Sequence, residues 1–413
     1  MRIIHTSDWH LGKMLEGNSR LSEQEKFIDE FIDIVNKENV DMVIIAGDIY
    51  DNSNPPARAE KLFYRALKEI CCNGKRAVLV IAGNHDNPER LIAASPLAYE
   101  QGIIMLGTPR STAVKGKCGQ FEIVESDEGY FEINMNGEKA VIITLPYPSE
   151  KRLNEIISDK LNEEERQKDY SDRIGDVFSE LSQKYRDDTI NLAVSHLFVL
   201  GGESSDSERP IQLGGSLTVA ASKIPQKAQY VALGHLHKPQ KVKGTKGRVR
   251  YCGAPIQYSK SERHNTNCAY IVDLKVGQEA DIKEVYFKNY KPIEVWKCES
   301  IEEAIDKCKE NSEREIWVYL EIKTDRVLLQ EEIKEMKKYK KDIIEIKPII
   351  KGQDEEETDF ENLTEKSMDE VFKEFYKHEK GIMPSEEVLD LFLSIVDENN
   401  EDGEEYETQE IND

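Results

Sequence analysis

The apolar stretch Ile3-Ile4-His5-Thr6 runs straight into Ser7-Asp8-Trp9-His10. A carboxylate and an imidazole two residues apart, where a strand gives way to a loop, can both turn toward one point beyond the sheet edge. An oxygen donor and a nitrogen donor at that point suit a borderline divalent cation such as Mn²⁺, Fe²⁺ or Zn²⁺. One Asp-x-His arises by chance in many soluble proteins, but here the arrangement recurs. Four further apolar stretches end in Gly47-Asp48, Gly83-Asn84-His85-Asp86, Ser195-His196 and Gly234-His235-Leu236-His237. The chain holds only eight histidines. Five of them (His10, His85, His196, His235 and His237) belong to this set, beside Asp8, Asp48 and Asn84. A single strand-end histidine is usually a hydrogen-bonded structural residue; five of eight, in company with Asp and Asn, point to a binuclear metal site.

The residue types match that chemistry. One carboxylate can bridge two cations, and Asp48, in the middle of the set, is the natural bridge. Two ions ~3.5–4 Å apart polarise a phosphoryl oxygen, activate a water and neutralise charge in the transition state. His85, beside the ligand Asn84, is then available to protonate the leaving oxygen. Asp86 is placed to orient His85 from behind, or to cap the helix or turn announced by Asn87-Pro88.

These residues need strands that end together. Residues 2–6, Met42–Ala46, Ala77–Ala82, Asn191–Val194 and Tyr230–Leu233 are apolar runs of strand length. Ser22-Glu23-Gln24-Glu25 reads as a capping box, opening a helix whose buried face is Phe27, Ile28, Phe31, Ile32 and Val35. Ala59, Leu62, Phe63, Ala66, Leu67 and Ile70 mark a second helix. Apolar strands alternating with amphipathic helices predict an α/β layered core with a largely parallel sheet, its polar residues at the strands' C-terminal ends. Phe121–Val124, Tyr130–Met135, Ala140–Leu145, Arg248–Gly253 and Ala269–Leu274 complete the predicted strands, and residues 150–188 read as helical.

The chain has 413 residues, which suggests two or three domains. No apolar run approaches the ~20 residues of a membrane span, and residues 1–12 lack a signal peptide's basic start and apolar core. Seven cysteines without a C-x-x-C pair read as reduced thiols of a cytoplasmic protein. The net charge of −24 is unevenly spread. Residues 352–371 carry −8 and residues 397–413 carry −9, which leaves −7 for everything else. Lys238, Lys241, Lys243, Lys246, Arg248 and Arg250 form a run without an acid, directly after the last proposed ligand. Alone it reads as a solvated hairpin; its position makes a phosphate-backbone contact the reading adopted for Lys238, Lys241, Lys243 and Arg248.

His5-Thr6-Ser7-Asp8-Trp9-His10-Leu11-Gly12, Ala46–Asp51, Ala82–Asp86, Leu233–His237 and Tyr251–Gln257, in this order and approximate spacing, resemble the calcineurin-like metallophosphoesterases. Within them the resemblance is nearer to the SbcD-type nuclease subunits of bacterial double-strand-break repair complexes, over roughly residues 1–275 and more loosely beyond. The resemblance implies an α/β/β/α layered core and two Mn²⁺ ions, with Mg²⁺ as the alternative. One ion would be held by Asp8, His10, Asp48 and His237, the other by Asp48, Asn84, His196 and His235, with His85 catalytic. It also implies DNA exonuclease and endonuclease activity, a coiled-coil ATPase partner of the SbcC type and a homodimer within a heterotetramer. Asp51 departs from the pattern, since archaeal and eukaryotic relatives place a second histidine there. A small-molecule phosphodiesterase or phosphatase, or a non-catalytic scaffold of the same fold, is the alternative reading.

Past Leu274 the pattern changes to strand, helix, strand, helix, strand over residues 291–350. This is a small α+β module without metal-type residues, which the resemblance makes a capping domain (285–351). Residues 352–366 form an acidic linker. Two amphipathic helices follow within 367–397, with Phe372, Phe375, Leu391, Phe392 and Ile395 on their apolar stripes, and the resemblance assigns these to the ATPase partner. The tail from Glu398 reads as disordered.

Overall fold

The structure is a computed structural model describing residues 1–153, 163–208, 218–350 and, further on, residues 372, 373, 376, 384, 388, 389 and 392. Residues 1–349 form one compact unit and 350–413 a second. The first unit opens with β1 (Arg2–Thr6), α1 (Leu21–Lys37), β2 (Met42–Ala46), α2 (Ala57–Ile70), β3 (Ala77–Ile81) and β4 (Ile103–Leu106). There follow β5 (Gly116–Cys118), β6 (Phe121–Asp127), β7 (Tyr130–Met135), β8 (Glu138–Leu145), α3 (Glu163–Leu181), β9 (Ile190–His196) and β10 (Tyr230–Gly234). Then come β11 (Gln240–Lys241), β12 (Val249–Tyr251), β13 (Cys268–Asp273) and β14 (Asp281–Tyr286).

Two sheets stack. The first has the order β14-β13-β1-β2-β3-β4, with β1 to β4 parallel and β13 antiparallel to β1. The second has the order β11-β12-β10-β9-β8-β7-β6-β5, parallel from β8 through β9 and β10 to β12. The strand period of two sorts their residues. Ile3, Ile44, Leu79 and Ile81 face Ile142, Leu192, Val194 and Ala232 in the core between the sheets. Their neighbours Ile4, Val43, Ile45, Val78 and Val80 pack under Phe27, Phe31, Leu62 and Phe63 of α1 and α2. Behind the second sheet, Ile143, Ala193 and Val231 meet Tyr170, Ile174 and Phe178 of α3. The layers are therefore α/β/β/α, the arrangement the family resemblance implies.

Two local expectations change. The capping box at Ser22 is absent, because α1 starts at Leu21 with Arg20 before it and no side-chain cap. Glu23 and Gln24 turn inward, where buried partners outweigh a solvent-side cap: Glu23 pairs with Arg20 and takes the Trp317 indole N–H at 3.1 Å. The first sheet also runs past residue 275. β14, mostly exposed, lies beyond the last strand predicted, Ala269–Leu274, yet pairs with β13 along six residues.

The module after it comprises β15 (Ile293–Cys298), α4 (Ile301–Glu310), β16 (Trp317–Thr324), α5 (Gln330–Tyr339) and β17 (Ile343–Ile350). It has its own core of Trp296, Ala304, Val318, Leu320, Ile322 and Met336. On the sheet's other face, Ile293, Trp317 and Tyr319 pack on Leu15 of the short hairpin that follows β1. In the second unit the Phe372 and Phe392 rings stack, 3.9 Å between centroids and 9° from parallel. Phe375, Leu391 and Ile395 lie outside the described residues.

Candidate metal centre

Five strand ends deliver the predicted residues to one place. Asp8 and His10 follow β1, Asp48 follows β2, and Asn84 and His85 follow β3; His196 ends β9, and His235 and His237 follow β10. The backbone there is bent out of its usual range. Asp8, His10, Asp48 and His235 have φ of 54°, 42°, 51° and 105°, conformations that cost about 1–3 kcal/mol each for side-chain-bearing residues and persist where surrounding bonds enforce them. Those bonds include Asp8 N–H to Gly47 O and His10 N–H to Asp48 O, both 3.0 Å. The sheets also meet tightly. A Cβ on Gly234 would fall 1.9 Å from the Ala46 carbonyl oxygen, and one on Gly83 would fall 2.0 Å from Asp48 Oδ1. Glycine immediately before a ligand is thus the residue that lets the ligand reach the centre.

Asp48 sits in the middle. Its Oδ2 lies 3.6 Å from His10 Nε2, 3.4 Å from His196 Nε2 and 4.0 Å from His85 Nε2. Its Oδ1 accepts the His85 backbone N–H at 2.9 Å. To one side, His10 Nε2 and His237 Nε2 stand 2.9 Å apart with Asp8 beside them. To the other, Asn84 Oδ1 lies 2.9 Å from His196 Nε2 and 3.0 Å from His235 Nδ1. The Asp8 carboxylate neighbours both groups, since it clusters with His10 and His237 and again with Asp48 and His196. Two imidazole nitrogens facing each other in a buried site need a proton or a cation between them. The donor set, mixed nitrogen and oxygen, fits two borderline divalent ions sharing one carboxylate.

The electrostatics favour the same occupant. Burial pushes the Asp8 carboxyl up to about 7 against the pull of His196 and His237. Burial drives His10 well below its ordinary value and His235 down to about 3. Burial alone would lower His196 and His237, but both rise to about 9 because nearby carboxylates together outweigh it, Asp48 with Asp8 for His196 and Glu262 with Asp8 and Glu208 for His237. Burial would raise Asp48, but the facing rings of His196 and His85 hold it well below the carboxylate range. Without cations the site therefore holds protons near neutrality, and ligation must displace them.

Behind the ligands stands a second ring of contacts. His196 Nδ1 donates to Ala46 O at 2.8 Å, and His237 Nδ1 to Glu262 Oε1 at 2.9 Å. Ser7 Oγ donates to Asp8 Oδ2, and His235 N–H to Asp8 Oδ1 at 2.9 Å. Gln24 Nε2 holds the His10 carbonyl at 2.8 Å, and its Oε1 accepts from Gly12 N–H. The predicted role of Asp86 needs correction. Its carboxylate accepts backbone N–H groups of Gly83 (2.8 Å), Tyr50 (3.0 Å) and Ile49 (3.2 Å), so it pins two loops together. His85 is oriented instead by the Asp51 carbonyl, 2.6 Å from its Nδ1. Asp86 is not the helix cap either; Asn87 is. Adjacency in sequence could not say which way Asp86 points after the bend. Glu262 and Arg152 belong to no motif, and Gln24 reads only as part of a capping box, so nothing in the sequence marks the three for this site. The Arg152 guanidinium braces the Gly83 and Asp86 carbonyls at 2.8 and 2.7 Å.

The basic run divides. Lys241 and Lys243 are exposed, and Lys238 pairs with Glu203. Arg248, unlike the two exposed lysines, already spends its guanidinium within the fold, donating to Pro225 O at 2.7 Å and Gln226 Oε1 at 3.1 Å. Arg250 likewise bonds Gly247 O and lies over the Tyr270 ring.

The family described as calcineurin-like phosphoesterase matches residues 1–239, and the family described as Type 5 capsule protein repressor C-terminal domain matches residues 289–380. The chain is 42% identical over 397 residues to the SbcD subunit of the nuclease SbcCD of Bacillus subtilis (strain 168), covering 96% of this chain and 97% of that one. It is 29% identical to the corresponding SbcCD nuclease subunit of Staphylococcus epidermidis over 71% of this chain and 72% of that one. Among solved structures, a dimetal phosphatase from Danio rerio matches 69% of this chain and 95% of its own at 12% identity and a TM-score of 0.37. A protein of Thermus thermophilus matches 68% and 98% at 12% identity and a TM-score of 0.35. With the phosphoesterase motifs on five strand ends, two domains matched in order and a relative of this identity along nearly its whole length, the chain belongs to the SbcD family of calcineurin-like phosphoesterases.

Proposed function

We propose that this chain is a manganese-dependent DNA nuclease subunit that hydrolyses phosphodiester bonds as a double-strand exonuclease and a single-strand and hairpin endonuclease, in DNA repair, recombination and replication. The observation that carries the reading is the Asp48 Oδ2 position, 3.6 Å from His10 on one side and 3.4 Å from His196 on the other. Asp8, His10, Asp48 and His237 would hold one ion, and Asp48, Asn84, His196 and His235 the other. When bound, the ion pair would supply Lewis-acid polarisation of the phosphoryl oxygen and an activated water. Asp48 keeps its carboxylate ionised between the two ligand groups. Asp8 and the four ligand histidines hold their places through the backbone and side-chain contacts behind them. His85 delivers a proton to the leaving oxygen. A carbonyl only accepts, so Nδ1–H stays bonded to the Asp51 carbonyl, and the proton delivered is the second one of the imidazolium, on Nε2 on the Asp48 side, which leaves the ring neutral with Nδ1 still protonated. Asp86 and Arg152 keep the loop that carries Asn84 and His85 in register.

Lys241 and Lys243, exposed on the hairpin that begins right after His237, would contact the DNA backbone. The names of the relatives support an SbcC-type coiled-coil ATPase as partner. Apolar residues of the C-terminal stripes, Phe372 and Phe392 among them, would meet it in a heterotetramer built on a homodimer of this chain. The seven cysteines are all unpaired, which supports action in the reducing cytoplasm. No helix among the described residues is long and apolar enough to cross a membrane.

The test is incubation of the purified chain, alone and with its ATPase partner, on end-labelled duplex and hairpin DNA in Mn²⁺, Mg²⁺ and EDTA. Cutting in Mn²⁺ that EDTA abolishes is the expected result. Hydrolysis of small phosphodiesters with DNA left intact would reject the nuclease reading.

A further inference from the structure

The His237 ring sits between two kinds of neighbour. Its Nε2 faces His10 Nε2 at 2.9 Å, on the side of Asp8. Its Nδ1 lies 2.9 Å from Glu262 Oε1 and 2.6 Å from Ser207 Oγ. Glu262 stands on the short turn Ser261–His264 and is 1% exposed. A carboxylate that far from water must be fully satisfied, and this one is. Oε1 also accepts from Ser205 Oγ at 2.8 Å and from Ser207 Oγ, while Oε2 accepts the Tyr258 N–H at 2.7 Å. Glu208, from the same serine-bearing segment, accepts the His237 backbone N–H at 2.6 Å. Glu262, Ser207 and Glu208 share one neighbour, His237.

We propose that Glu262 is a positioning residue of the metal centre: it holds His237 with Nδ1 protonated and Nε2 presented to the ion of Asp8, His10 and Asp48, and so sets the affinity of that ion and not of its neighbour. The inference rests on the two-ion reading above. An ionised carboxylate accepts and does not donate, so the shared proton belongs to Nδ1 and the Nε2 lone pair is left for a cation. His196, in the other half of the centre, has no such dependence, because its Nδ1 is held by the Ala46 main-chain carbonyl. The same Glu262 carboxylate gathers Ser205 and Ser207, which ties residues 205–208 to the His237 half alone.

The experiment is Mn²⁺ titration of the metal-free full chain, read by calorimetry and by the magnetic coupling between neighbouring Mn²⁺ ions in electron paramagnetic resonance. The native chain loads two ions and gives the coupled spectrum. In Glu262→Gln the affinity of one ion falls about 10–100-fold while the other stays within roughly threefold, the range that loss of a carboxylate behind a ligating histidine produces. The isolated-ion spectrum then appears at a metal supply that fills both native sites. Glu262→Asp keeps the charge but withdraws it by one methylene, and gives the same selective loss; it carries the test if the Gln variant does not fold, as judged by melting of the metal-free proteins. Equal loss at both sites, or no loss at either, in a folded variant overturns the proposal. A native chain that loads no coupled pair sinks the two-ion reading, and this inference with it.

Discussion

The two halves of the centre are built from different materials. Around His196 the contacts are main chain: the Ala46 carbonyl on Nδ1, with the Gly47 and Gly234 backbones pressed against the ring. Around His237 they are side chains from a loop, namely Glu262, Ser207 and Glu208. The difference teaches that the first half is a property of the packed sheets and cannot be varied without moving them. The second depends on a few polar side chains that can be changed one at a time. Asp48 stands between them, and the Asp8 carboxylate neighbours both.

Removing Asp48 therefore has the largest effect, since it erases the distinction. Asp48→Asn is expected to lose both ions in a Mn²⁺ titration and to cut DNA no faster than background. His85→Gln is the control that keeps both halves. It should load two ions and melt normally, yet cleave about 10²–10⁴-fold more slowly, the usual worth of a general acid.

Gly234→Ala attacks the main-chain half. Its new methyl would meet the Ala46 carbonyl at 1.9 Å, and overpacking of this kind costs about 1–3 kcal/mol. A fall in melting temperature of the metal-free protein checks it. An unchanged melting curve would mean that the sheets yield more easily than their packing implies.

Both halves contribute a ring to the pH response of the metal-free protein. His196 and His237 are each raised to about 9, so their protons stabilise the folded state fully below the unfolded value near 6.5. That stability is lost as pH rises toward 9. His10 and His235 are lowered and change their contribution below about 6.5, and Asp8, raised to about 7, changes its contribution between about 4 and 7, so none of them dominates the window above pH 7. Melting of the metal-free chain should thus fall between pH 7 and pH 9, whereas the Mn²⁺-loaded chain, its rings ligated and neutral, stays flat. Parallel curves for the two forms would contradict this.

The smallest effects lie outside the centre. Lys241→Ala and Lys243→Ala are each expected to reduce the salt slope of DNA binding by about 1, whereas Arg248→Ala lowers stability and leaves that slope alone.

Much of the layered core was legible because its strands are apolar on both faces: Met42–Ala46 and Ala77–Ile81 leave nothing for solvent. The β15–β17 module was equally readable from alternating strands and amphipathic helices. β14 was not, because its two half-buried apolar residues, Ile282 and Val285, fall on opposite faces of a mostly exposed edge strand and give no period of two. The capping box at Ser22 failed because a local pattern was outbid by distant partners, Gln257 and Trp317.

By itself the sequence determined which residues end the strands and what donors they carry, because side-chain chemistry and the two-residue strand period are local properties. Tertiary structure alone decided which way each donor points: Asp86 toward three backbone N–H groups, Arg248 toward carbonyls, Glu262 toward His237 across 25 residues. The reason is that a buried polar group turns to whichever partner packing brings near, and proximity in space leaves no mark on the order of residues along a single chain.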